Sequence, residues 1–136
     1  MEGRTVVVTG AGQGIGLAIS RLIVEMGGQV VGVDMSADAL ARAVSSLPDG
    51  RFVPVVGSVT DSAVAKASLQ AGLAAFGAVH GLVNNAGISR PAMIEKMSME
   101  TWQSVLDVHV NGSFIFTQVV GQHLIERAKG GEKDPG

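Results

Sequence analysis

Short β-branched runs alternate with longer segments of helical period along most of this chain, and that alternation leaves few folds open. Strand, helix, strand repeats in which the strands are apolar on both faces build a parallel sheet covered by helices above and below. Arg4 to Thr9 reads as a first, buried strand, and Ile15 to Met26 as a helix stopped by Gly27 and Gly28. Gln29 to Asp34 is a second strand. Ser36 can cap a helix reaching about Ser46, and Pro48-Asp49-Gly50 turns the chain into a third strand, Phe52 to Val56. Thr60 or Asp61 caps the next helix, which ends near Phe76 and Gly77, and Gly81 to Asn84 is apolar enough to be a fourth, inner strand.

After a loop containing Pro91, one long helix is expected from Ser98 to Lys129, with Glu100 placing negative charge near its N-terminus. Its apolar residues, Trp102, Val110, Phe114, Val119 and Ile125 among them, cover much of its circumference. Packing on one sheet would leave some of them exposed, so a second buried face is implied, and a homo-oligomer paired through helix 98–129 would supply it. Gly130 to Gly136 reads as a polar loop tail with no fifth strand. The expected fold is therefore α/β, a doubly wound parallel sheet in three αβα layers, truncated after four strands, with one domain over residues 1–129.

Composition narrows the functional classes. Hydrophobic residues make up 46% of the 136 and charged residues 16%, enough apolar material to bury a single core. No apolar run approaches the ~20 residues of a bilayer span, and no basic segment leads an apolar one as in a signal peptide. A soluble, cytoplasmic protein without a membrane partner is the expectation. A net charge of -2 with scattered signs argues against nucleic acid. Absence of cysteine removes disulfides, thiolate zinc sites and thiol nucleophiles, and no metal site is expected.

The chemistry starts at Thr9-Gly10-Ala11-Gly12-Gln13-Gly14-Ile15-Gly16, between the first strand and the first helix. Glycines there permit a tight turn, and they let backbone N–H groups approach a pyrophosphate at the helix N-terminus. Gly10, Gln13, Gly14, Ile15 and Gly16 are the candidate phosphate-loop residues. Asp34 closes the second strand 18 residues beyond Gly16, near the ~20-residue offset at which an acid accepts hydrogen bonds from ribose hydroxyls. A 2'-phosphate would be repelled by Asp34, and neighbouring Met35 and Gln13 offer no positive charge, so NAD is the expected cofactor. A plain strand-to-helix turn and a solvated strand-end acid are the non-functional alternatives.

Thr9-Gly10-x-x-x-Gly14-Ile15-Gly16, taken with Asn84-Asn85-Ala86-Gly87 after the fourth strand, closely resembles the short-chain dehydrogenase/reductase family. The likeness runs from the first strand to the long helix and implies a Rossmann-like fold. It implies that Asn84, Asn85, Ala86 and Gly87 steady the sheet and border the ribose and nicotinamide side of the cofactor. It also marks three departures. Many members carry an Asp against the adenine where this chain has Ser58, beside Val59. His109 stands where members have a helix Asn that holds a proton-relay water; Asn111 lies two positions later, on another side of the helix. An imidazole can also hold a water, or it can be a hydrogen-bonded helix residue without chemistry. Finally, members transfer hydride with a Ser and a Tyr-x-x-x-Lys placed after the next strand, and this sequence contains no tyrosine. No catalytic residue is assigned within the chain.

Three functional classes follow. One is an NAD(H)-dependent oxidoreductase of secondary alcohols and ketones, of which this is an N-terminal fragment, inactive alone, that meets a small-molecule substrate only in a complete form. Another is a non-catalytic nucleotide-binding or subunit-pairing module. A methyltransferase also uses a glycine loop and a strand-end acid, and competition between NAD and S-adenosylmethionine separates it from the others.

Overall fold

The computed structural model describes residues Met1–Gly136. Four parallel strands, β1 (Thr5–Thr9), β2 (Gln29–Asp34), β3 (Phe52–Val56) and β4 (Gly81–Val83), form one sheet in the order β3-β2-β1-β4. The central pair runs in register from Thr5 opposite Gln29 to Thr9 opposite Val33. Period-two alternation sorts the valines between the two faces. Val6, Val8 and Val30 join Ile23, Val24, Leu40 and Phe52 in a core under α1 (Gly14–Glu25) and α2 (Ala37–Ser45). Val7, Val31 and Val33 join Ala65, Val79, Phe116 and Val120 in a second core under α3 (Ser62–Phe76) and α5 (Gly112–Lys129). The result is the three-layer, Rossmann-like α/β architecture expected from the alternation.

The helix boundaries follow local chemistry. Ser36 caps α2 by accepting from the Ala39 N–H, and Asp61, rather than Thr60, caps α3 by accepting from the Ala63 N–H. Gly77 ends α3 in the left-handed conformation, φ 82°. The expected strands β2 and β3 coincide with the observed ones, and β1 and β4 are each one residue shorter.

One expectation needs correction and a second needs refinement. Strand β4 is an edge strand of this sheet, not an inner one, and all three of its residues are only half-buried. Its apolar composition cannot distinguish an inner strand from an edge strand one of whose faces packs under a helix. The long helical segment runs from the Ser98 cap to Lys129 as expected but is not uniform: α4 (Met99–Leu106) passes through a π-helical turn, Asp107–Asn111, into α5. At the start of α5 a Cβ on Gly112 would lie 2.7 Å from Cγ2 of Val59, so the helix seats directly on the loop after β3. Residues Trp102, Val110, Phe114 and Ile125 remain about half or more exposed along these helices. No helix is long and apolar enough to cross a membrane.

The tail is also tied down. Arg127 donates to the carbonyls of Val79 and Pro135 and pairs with Glu132, while Arg4 pairs with Asp134. These contacts gather at the N-terminal ends of the strands.

Candidate functional site

At the opposite, C-terminal ends of the strands, the connections following β1, β2, β3 and β4 converge around a cavity of about 380 Å³. Gly10, Gln13, Gly14, Ile15, Asp34, Ser58, Val59, Asn85, Ala86 and Gly87 all line it. Gly16, also a sequence candidate, does not. It sits beneath the loop, where a Cβ would come 2.0 Å from the Gly10 carbonyl oxygen and 2.6 Å from Asn85 Nδ2. Any side chain at 16 would therefore push the loop off its seat, and the contribution of Gly16 to the cavity is to let the first turn of α1 approach β1.

The loop is locked to the far side of the cavity by one hydroxyl. Thr9 Oγ1, fully buried, accepts from the backbone N–H groups of both Asn85 and Ala86 at 3.0 Å. In return Asn85 Nδ2 donates to the Thr9 carbonyl at 2.9 Å and to the Gly10 carbonyl at 3.3 Å. Asn84 turns the other way and donates to Thr117 Oγ1 at 3.0 Å, fastening the same segment to α5. The two asparagines thus point to opposite sides of the segment, one to α5 and the other to the end of β1 and its glycine loop.

Helix α1 points its N-terminus at the cavity without a side-chain cap. Gln13 occupies the cap position in extended conformation and makes no capping bond, and the first turn holds no acid. Uncapped N–H groups at a helix start leave donors and partial positive charge available to an anion. Ile15, 74% exposed on the rim, offers an apolar surface beside them.

Asp34 carries the negative charge of the site. Its Oδ2 accepts from the Gly12 N–H at 3.0 Å and its Oδ1 from the Ser36 N–H at 3.0 Å. Each carboxylate oxygen keeps a further lone pair, so the group is oriented by the backbone yet still able to accept from a ligand. Ser58 is differently employed: its hydroxyl lies 2.8 Å from that of Thr60 and accepts from the Thr60 N–H, which turns it into its own loop. Val59 is buried and doubles as the seat of Gly112.

His109, on the π-helical turn, reaches Ile88 in the segment after β4, and Asn111 instead donates to Asp107 Oδ1 on its own helix. Val33, Met35, Gly57, Ile88 and Val108 also line the cavity and were not singled out from the sequence. All five adjoin a residue that was, Val108 lying beside His109, so motif edges were the available signal.

A parallel sheet wound β3-β2-β1-β4, with its glycine loop, strand-end acid and cavity at the carboxyl ends of the strands, defines a Rossmann-like α/β protein. Residues 4–131 match the family model described as short chain dehydrogenase, and the chain belongs to that family. Among curated proteins it is 35% identical to the 3-oxoacyl-[acyl-carrier-protein] reductase FabG of Thermotoga maritima, over 96% of this chain and 54% of the relative. It is 33% identical to a D-threitol dehydrogenase of Mycolicibacterium smegmatis, over 96% and 51%. Among solved structures, the 3-ketoacyl-(acyl-carrier-protein) reductase of Brucella melitensis complexed with NADH superposes with TM-score 0.90 at 30% identity, covering 98% of this chain and 55% of that one. The chain spans about half the length of the relatives it matches.

Proposed function

We propose that this chain forms the cofactor-binding part of an NAD(H)-dependent oxidoreductase that interconverts secondary alcohols and ketones. The observation that carries the cofactor reading is the Asp34 carboxylate, held by the Gly12 and Ser36 amides at the rim of the cavity into which the uncapped α1 N-terminus points. Gly10, Gln13, Gly14 and Ile15 would hold the pyrophosphate, with Gly16 below them making room. Asp34 would accept from the adenosine ribose hydroxyls and disfavour a 2'-phosphate. Ser58 and Val59 would border the adenine, and Asn85, Ala86 and Gly87 the nicotinamide half. Bound there, the nicotinamide ring supplies the hydride donor or acceptor.

Support for the oxidoreductase reading comes from family membership and from the reductase and dehydrogenase relatives. The chain contains no tyrosine, and the proton-transferring residues are proposed to lie outside it. Pairing with a second copy along the α4 and α5 helices would cover Trp102, Val110, Phe114 and Ile125, and light scattering of the purified chain reads its mass directly.

Fluorescence titration with NADH and NADPH tests the cofactor assignment. NADH is expected to bind at least about 10-fold more tightly, equivalent to about 1.4 kcal/mol. Equal affinity, or tighter NADPH, would overturn the role given to Asp34.

A further inference from the structure

His109 Nε2 lies 2.9 Å from the carbonyl oxygen of Ile88 and 3.1 Å from the amide nitrogen of the same residue. A single ring nitrogen cannot serve both groups. As imidazolium, or as the neutral tautomer protonated on Nε2, it donates to the carbonyl, and only as the other neutral tautomer does it accept from the amide, so one of the two Ile88 groups always lacks this partner. The ring also packs against Gly87, where a Cβ would fall 2.6 Å from the imidazole Cε1. Gly87 and Ile88 both line the cavity, and so does Val108, which precedes His109 on the π-helical turn.

From this geometry we infer that His109 is a positioning residue: the proton on its Nε2 selects how the Gly87–Ile88 backbone is held, and so sets the affinity of the cavity for a dinucleotide. The inference rests on the cofactor reading above. No other ionic group competes for the ring. On its own turn Asp107 is occupied by Gln103 and Asn111. Glu100 on α4 and Arg90, Glu95 and Lys96 in the segment after Ile88 make no ion pair or hydrogen bond with it, and the chain's two ion pairs join Arg4 to Asp134 and Arg127 to Glu132. A side-chain amide differs from imidazole in one respect that matters here, because it carries a donor and an acceptor side by side and can satisfy both Ile88 groups at once.

The test is NADH titration of the full chain with His109→Asn and His109→Ala variants, between about pH 5.5 and 8.5, the range over which a histidine changes charge. Affinity of the unsubstituted chain is expected to change as the ring gains charge, because imidazolium can only donate to the Ile88 carbonyl whereas the neutral ring can also accept from the Ile88 amide. His109→Asn should bind at least as tightly at every pH with a flat profile, and His109→Ala about 3- to 10-fold more weakly, the loss of one hydrogen bond. Identical affinities and profiles in all three proteins would overturn the inference. Failure of the unsubstituted chain to bind NADH would instead refute the cofactor reading. The clamp is then decided by hydrogen exchange at the Ile88 amide, expected to be slower with His or Asn at 109 than with Ala; equal rates would sink it.

Discussion

The two ends of the sheet are finished in opposite ways. At the N-terminal ends of the strands, side chains use up the backbone groups: Arg127 takes the Val79 and Pro135 carbonyls, and His80 Nδ1 accepts from the Thr5 N–H at 3.0 Å. At the C-terminal ends the backbone is locked to itself through Thr9 and Asn85, and the amides at the start of α1 are left without a side-chain cap. Charged side chains close the structural end, while neutral, glycine-rich backbone leaves the other open to a ligand. What separates a binding end from a closed end in this fold is which backbone groups are left free, more than how many polar residues are present.

The sharpest way to break that contrast is Gly16→Val. A side chain cannot fit 2.0 Å from the Gly10 carbonyl, so the loop must move, and NADH binding is expected to be abolished. Urea unfolding should show a loss of about 1–3 kcal/mol from overpacking. Retained binding would mean that the loop conformation is not what presents the amides. Thr9→Val is the milder probe, since it keeps shape and burial but strands the Asn85 and Ala86 N–H groups. About 1–3 kcal/mol of stability should be lost, again read by urea unfolding, with weaker NADH binding alongside; an unchanged midpoint would show that the lock contributes nothing.

The smallest effect belongs to the closed end and depends on pH. Burial, then the Arg127 and Arg4 guanidiniums, hold His80 below its ordinary value of 6.5. The unfolded chain therefore takes up a proton at this site more readily than the folded chain. The stability contributed by neutral His80 is complete above about pH 6.5 and is lost as pH falls through the folded value. The melting temperature should fall from pH 7 to pH 5, and His80→Asn should flatten that slope. An unaltered slope in the variant would remove His80 from the closed end.

Much of this was legible from local chemistry. Strands β2 and β3, the Ser36 cap and the glycine loop each follow from a few adjacent residues, and ten of the eleven candidate site residues line one cavity. Gly16 departs because it serves by what it leaves out, which a motif does not distinguish from contact. The π-helical turn has no signature in the periodicity, because one extra residue in a helix leaves the apolar pattern on either side intact. Arg4 meeting Asp134 across the chain had no sequence signature, since a pairing 130 residues apart is set by where the fold delivers the tail.

Thr9 and Asn85 are separated by 76 positions, yet each completes the other's hydrogen bonding. Chain closure over so long a span comes late in the assembly of a parallel sheet, because its entropy cost must be met before the contact returns anything. The cavity therefore acquires its shape only when the first and fourth strands are already side by side. A ligand that fits it recognises the finished sheet alone, and by mass action it draws the folding equilibrium toward that state. A dinucleotide bound as proposed would then act on this chain as a folding aid, stabilising the native state more as its concentration rises above Kd.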